Sequence, residues 1–301
     1  MARYQHRPKP PKQSFKVLLD QFSVHDLERW NKLREGFLRY HWDYYSSLAY
    51  QRSQIADDIR RALLEATESR FLFSKWQRVV RYRYALKPLS VQGSLIDPGG
   101  RFNIGDINPA QFPLFPALYL AVDRGTALQE MFSQSIGPAD APRALEFALT
   151  APESITAVSV SGFLDSVIDL RKPAKLQKFV DLIKDFAVPK HLIETAKKIG
   201  EQPPDLLRDT ETLLKALLVP NWRSWPMLFD VPTASQIFGQ LVDQARIQAI
   251  SYPSKFSGGD CLAIFPRNFE NSDAFVELDD ASPLEVGIRR LDATTWQKLE
   301  S

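Results

Sequence analysis

The sequence predicts an α+β fold, a sheet of short apolar strands flanked by helices. Short apolar runs bounded by turn residues recur at 117–122, 249–252 and 262–265, the length and punctuation of buried strands. Apolar residues at three- and four-residue steps fill much of 15–69 and 175–218, which is helical spacing. The 301 residues, 44% hydrophobic and 25% charged, suffice for one large domain or two modest ones.

In chain order, residues 1–14 carry several basic residues and three prolines with little to bury, and read as a disordered tail. Residues 15–75 read as a helical region. Val17, Leu18, Phe22, Leu27, Trp30, Leu33, Phe37 and Leu38 form one apolar stripe, Ser23 and Asp26 stand near a capping-box spacing, and a second helix covers 50–66. Between the two lie Tyr40, His41, Trp42, Tyr44 and Tyr45, read as packing against the rest of the chain rather than as a ligand-stacking set. Residues 76–301 form the main domain, with a helical insertion over about 171–220.

Within that domain, 76–86 reads as a strand with Arg81 and Arg83 on one face. Gly99 and Gly100 open the next loop and are followed at once by Arg101. After the strand at 117–122, Asp123 caps a helix bearing Ala127, Leu128, Met131 and Phe132, with Glu130 beside them. Residues 147–160 read as two strands around a turn. The insertion reads as three helices separated by Pro189 and by Pro203 and Pro204. His191 lies in one of them with no partner residues nearby. Residues 221–226 read as a loop at a cleft mouth whose tryptophans pack. Gly239 inside the helix at 233–247 implies a close approach to another backbone, since an interior glycine costs about 1 kcal/mol against alanine. The strand at 249–252 leads to Pro253 and Ser254, the Gly258–Gly259 turn to the strand at 262–265, and the chain ends in a short helix.

The totals and motifs exclude several functions. A net charge of +2 argues against nucleic-acid binding, and no run reaches the ~18 apolar residues of a membrane helix. The basic, proline-rich start has no apolar core after it and does not read as a signal peptide. Cys261 is the one cysteine, so neither an internal disulfide nor a cysteine metal site is expected. There is no H-E-x-x-H, no G-x-G-x-x-G and no phosphate-loop motif, so no metal, Rossmann or P-loop site is expected. Ser254 follows a proline rather than the glycine of a nucleophile elbow. What remains is Arg101, Tyr119 and Glu130 with a late serine. An arginine binds anionic oxygens, a tyrosine stacks on a flat ring and a glutamate stabilises a sugar cation. That set suits cleavage of an N-glycosidic bond in a dinucleotide.

Four ordered blocks carry a resemblance. They are Gly99-Gly100-Arg101-Phe102-Asn103, the strand at 117–121, Thr126-Ala127-Leu128-Gln129-Glu130, and Tyr252-Pro253-Ser254 before Gly258, Gly259 and the strand at 262–265. Together they resemble the RES domain, over roughly 79–265. The resemblance implies an ADP-ribosyltransferase-like fold, with a split, mostly antiparallel sheet around a cleft for NAD+. It implies an NAD+-degrading enzyme that breaks the nicotinamide–ribose bond as a glycohydrolase or phosphorylase, consuming NAD+ as substrate and needing no cofactor or metal. It also implies a cytoplasmic bacterial toxin held by an Xre-type antitoxin, with homo-oligomerisation left open. Carried over by residue, Arg101, Tyr119 and Glu130 are catalytic. Arg83, Phe102, Asn103 and Ser254 bind substrate, Arg83 through phosphate with Arg81 second to it.

Three departures from the family pattern stand out. The segment between Arg101 and Tyr119 is long, Asp260 and Cys261 stand where an asparagine is common, and the helical N-terminal region and insertion are extra. Two rivals remain: a transferase that passes ADP-ribose to a macromolecule, and a non-catalytic module that regulates a partner.

Overall fold

The computed structural model describes residues 24–132, 155–202 and 206–299, with the side chains of 24–31, 33 and 299 left aside. The expected tail at 1–14, the apolar positions Val17, Leu18 and Phe22, and the part of the expected strand pair at 147–154 lie outside the described residues. The aromatic cluster does not separate two helices. It runs through the middle of one 31-residue helix, α1 (Val24–Gln54). The break comes later, at Ile55, whose φ of −125° and ψ of 28° leave the helical region before α2 (Ala56–Glu65). The cluster packs: Tyr40 is buried against Leu192 and Ala196, and Trp42 and Tyr45 meet Phe112 at ring separations of 5.4 and 4.9 Å.

Among the described residues ten strands follow: β1 (Phe71–Arg81), β2 (Gly99–Gly100), β3 (Asn103–Ile104), β4 (Leu118–Ala121), β5 (Ile155–Leu164), β6 (Val167–Asp169), β7 (Ala249–Pro253), β8 (Asp260–Ile264), β9 (Phe275–Leu278) and β10 (Arg290–Leu291). Eight form one sheet in the order β10-β9-β5-β1-β4-β8-β7-β6, antiparallel throughout except for β6 beside β7. β2 and β3 make a separate two-stranded ladder. β1 and β4 share one registered pair, Gln77 with Ala121, so the sheet splays at this seam. This is the mostly antiparallel, split α+β architecture that the sequence implies.

Strand alternation divides the interior in two. Leu118, Leu120, Leu262 and Ile264 point into one core, with Phe73, Trp76, Val160 and Val276. Tyr119, Ala121, Cys261 and Ala263 face the other, which the helices cover. Those helices are α3 (Arg124–Phe132) and the run between β6 and β7: α4 (Gln177–Ile183), α5 (Lys190–Ile199), α6 (Thr210–Leu217), α7 (Ser224–Phe229) and α8 (Ala234–Gln244). α6 and α8 each start on a capping box, Asp209 with Thr212 and Thr233 with Gln236.

Two boundaries correct the sequence reading. β1 stops at Arg81 and Tyr82–Tyr84 is a 3-10 turn, so Arg81 and Arg83 do not share a strand face. At the end of the described chain the expected helix narrows to a single 3-10 turn, Trp296–Leu299. The close approach at Gly239 is present: a Cβ there would overlap the carbonyl group of Phe102, so α8 lies directly against the loop that carries Arg101.

Candidate active site

The stretch Gly-Gly-Arg-Phe-Asn folds as the tight β2–β3 ladder, and Asn103 is its internal brace. The Gly100 N–H donates to Asn103 Oδ1 at 2.9 Å, while Asn103 Nδ2 donates to the carbonyls of Ser94 at 2.7 Å and Phe115 at 3.0 Å. The Tyr119 hydroxyl donates to the same Oδ1 at 2.9 Å and accepts the Phe102 N–H at 3.0 Å. The phenol is thus fixed at its tip, and burial raises its pKa above the ordinary value of 10.0. Its ring lies over Gly100, where any Cβ would overlap it. From the other side Gln236 on α8 donates to the carbonyls of Pro98 at 2.6 Å, Asn103 at 3.1 Å and Gly100 at 3.2 Å.

Arg101 is buried, 4% exposed, and its Nη1 donates to the Val219 carbonyl at 2.8 Å and the Leu217 carbonyl at 3.5 Å. Its guanidinium carbon lies 5.9 Å from the ring centre of Trp222. The insertion therefore grips this arginine. Glu130 lies on α3, whose start is capped by Asp123: its carboxylate accepts the Thr126 N–H and hydroxyl, each at 2.9 Å. Those bonds, the backbone one first, lower the Asp123 pKa. Ser254 donates its hydroxyl to Glu130 Oε1 at 2.6 Å and accepts the N–H groups of Phe256 and Ser257, each at 3.2 Å. It is at once a turn cap and the support of the carboxylate.

Arg83, Arg101, Tyr119 and Glu130 line one cavity of about 330 Å³ at the β1–β4 seam. Ser254 reaches it through Glu130. Phe102 and Asn103 do not line it. Phe102 is fully buried with its ring 4.9 Å from that of Tyr252, and both residues act from behind, by holding Tyr119.

Sequence reasoning missed two arginines. Arg223, at the start of α7, lines the same cavity, with its guanidinium carbon 5.1 Å from the Trp222 ring centre. Burial lowers its pKa. Tyr119 and Glu130 oppose that shift, and Arg101 and Arg81 add to it, which places it within electrostatic reach of all four. The one cue in the sequence was its place in the Trp-Arg-Ser-Trp run at 222–225. Arg78 also lines the cavity and stitches the splayed seam. Its guanidinium donates to the carbonyls of Pro88 at 2.7 Å, Ser90 at 2.7 Å and Tyr119 at 3.1 Å, and burial lowers its pKa to about 10. Five arginines (78, 81, 83, 101 and 223) against Asp97 and Glu130 make the lining net positive and suited to an anionic ligand. Cys261 and Tyr252 complete the floor, their pKa values raised by burial. Asp260 turns away from the cavity's chemistry and pairs with Arg171.

The sequence profile described as the RES domain matches residues 75–286. The chain belongs to the RES domain family. A chain of the crystal structure of the M. tuberculosis MbcT–MbcA toxin–antitoxin complex resembles it with a TM-score of 0.42 and 15% identity, over 81% of this chain and 97% of that one. None of the curated proteins matches the chain. Among the described residues of this RES domain protein, no group of three or more His, Cys, Asp or Glu side chains is placed to hold a metal ion, and no helix is long and apolar enough to cross a membrane.

Proposed function

We propose that this RES domain protein cleaves NAD+ between nicotinamide and ribose. The observation that supports this best is the meeting of Arg101, Tyr119 and Glu130 in one cavity, with Ser254 bonded to the Glu130 carboxylate. The excess of guanidinium over carboxylate suits the diphosphate of a dinucleotide, which Arg83 and Arg223 would hold. Arg101, fixed by the insertion, would grip the phosphate or ribose nearer the reacting bond, and the immobilised ring of Tyr119 would flank the nicotinamide ribose.

The chemistry asks little of the protein in proton transfer. Nicotinamide leaves with the electron pair of the C–N bond, which neutralises its ring nitrogen, so the leaving group needs no acid. Positive charge is left on the ribose. Glu130, oriented by Ser254, stabilises that charge before water or phosphate adds to the sugar carbon. In this reading NAD+ is consumed as substrate and no separate cofactor takes part. The acceptor decides between glycohydrolase and phosphorylase. ADP-ribose attached to a macromolecule, detected by mass spectrometry, would move the assignment to a transferase.

Family membership extends the proposal: the chain is the toxin of a toxin–antitoxin pair, acts in the cytoplasm and is silenced by an Xre-type antitoxin. Expression of the chain alone should deplete cellular NAD+ and arrest growth, and Glu130→Gln should do neither. Growth arrest with undiminished NAD+ would contradict the reading.

A further inference from the structure

A catalytic carboxylate works only where it is aimed, and a misplacement of about 1 Å can cost a hundredfold in rate. The backbone of Glu130 is fixed by α3, but its carboxylate is held by Ser254, which stands on another segment, the turn 254–259. The Ser254 hydroxyl has two acceptor sites and one proton. The N–H groups of Phe256 and Ser257, each at 3.2 Å, occupy the acceptor sites, so the proton is left for Glu130. The turn is also closed on itself. The Ser254 N–H donates to the Gly259 carbonyl at 2.7 Å, and the Gly258 N–H to the Ser254 carbonyl at 3.1 Å. The turn is therefore one block, and the aim of Glu130 depends on how that block is seated on α3.

A single hydrogen bond to Glu130 would leave the block free to pivot. A second set of contacts lies one helical turn away, at Thr126, which shares a helix face with Glu130 four residues on. The Gly259 N–H donates to Ser257 Oγ at 3.0 Å, the Ser257 hydroxyl to Thr126 Oγ1 at 3.0 Å, and the Thr126 hydroxyl to the Asp123 carboxylate at 2.9 Å. The chain runs in one direction, because an amide can only donate and an ionised carboxylate can only accept. Asp123 also caps α3, so the turn is tied to the start of the helix that carries Glu130. Thr126 is 3% exposed, and a Cβ at Gly259 would overlap its hydroxyl, so the backbone of the turn rests on this side chain. We propose that Thr126 is a positioning residue: through Ser257 it seats the turn 254–259 so that Ser254 holds the Glu130 carboxylate in its working orientation. Thr126 does not line the cavity and acts without touching substrate. The effect on rate rests on the reading of Glu130 as the group that stabilises the ribose cation, whereas the seating of the turn is independent of it.

The full-length wild type is compared with Thr126→Val, Thr126→Ser and Ser257→Ala in nicotinamide release from NAD+ and by crystallography. Thr126→Val keeps the shape and the capping bond of the Thr126 N–H but removes the hydroxyl. It should lower kcat at least about tenfold and change KM less than about twofold, since the arginines that would hold the diphosphate lie elsewhere. Thr126→Ser restores the hydroxyl and should stay within about threefold of the wild-type kcat. Ser257→Ala, at an exposed position, should reproduce the loss in kcat, and it takes the place of Thr126→Val if that variant does not fold. The Ser254–Glu130 hydrogen bond should be present in the crystals of wild type and Thr126→Ser and broken in the other two. A wild-type kcat in folded Thr126→Val, an equal loss in Thr126→Ser, or a loss confined to KM would overturn the role. A wild type that releases no nicotinamide would refute the NAD+ reading instead. The crystals would then decide, and an unchanged Ser254–Glu130 bond in Thr126→Val would overturn the seating.

Discussion

Gly100 lies beneath the ring of Tyr119 with no room for a methyl group. Gly100→Ala must therefore displace either the loop or the phenol. It should destabilise the protein by about 1–3 kcal/mol, the usual cost of overpacking, as measured by urea unfolding. An unchanged midpoint would mean that the ring is not held where its bonds to Phe102 and Asn103 place it. Arg223 makes a different demand. If it holds the diphosphate, Arg223→Gln should raise KM for NAD+ about tenfold and change kcat less than about threefold. Nicotinamide riboside, which lacks the diphosphate, should be cleaved equally by both forms. An equal loss with the two substrates would remove Arg223 from the phosphate role. The contrast between these residues shows what a sequence discloses. Gly100, Arg101, Tyr119, Glu130 and Ser254 stand in short ordered blocks, and their grouping could be read before any fold was known. Arg223 stands just past the insertion, more than ninety residues beyond Glu130. The stretch at 221–226 could be read as lying at a cleft mouth, but nothing local in the chain indicates that Arg223 itself lines the cavity. Phe102 and Asn103 belong to a legible block, but only their hydrogen bonds reveal that they support Tyr119 rather than line the cavity.

At the scale of elements, α8 presents two opposing effects at one position. Gly239→Ala should stabilise an isolated helix by about 1 kcal/mol. Here the added Cβ would overlap the Phe102 carbonyl group. The steric effect should win, with net destabilisation of about 1–3 kcal/mol, because both the helix and the β2–β3 ladder are fixed by the three hydrogen bonds of Gln236. Equilibrium denaturation of Gly239→Ala checks the sign, and a stabilised variant would contradict the packing. Element boundaries were the least legible part of the chain. The apolar periods of the central strands and of the insertion helices were plain, and Gly239 itself pointed to a close contact. The end of β1 at Arg81 and the break at Ile55 carry neither proline nor glycine to mark them.

For the whole molecule, the N-terminal helix is coupled to the insertion through His41, which ordinarily titrates near 6.5 and is lowered by burial to about 4. A lowered histidine pKa means that the unfolded chain takes up a proton that the folded chain refuses. Stability should therefore be flat above about pH 7 and fall as pH drops from 6.5 toward 4, with up to about 3 kcal/mol lost through this group. His41→Phe should remove that part of the slope. The stability difference between wild type and variant, measured in urea at pH 7.5 and pH 4.5, should shift against the wild type at the lower pH. An identical difference at both values would mean that His41 is not the buried neutral group that joins these elements. The insertion also supplies the carbonyls that grip Arg101, so the regions beyond the minimal domain bear directly on the cleft.

The most direct test of the proposed activity is free nicotinamide released from NAD+ by the purified full-length protein, wild type beside Glu130→Gln. The wild type should turn NAD+ over, and the variant should be slower by about two orders of magnitude or more with its thermal transition preserved. No release by the folded wild type, or an equal rate in the variant, would contradict the assignment of Arg101, Tyr119 and Glu130 to the cleavage of the nicotinamide–ribose bond.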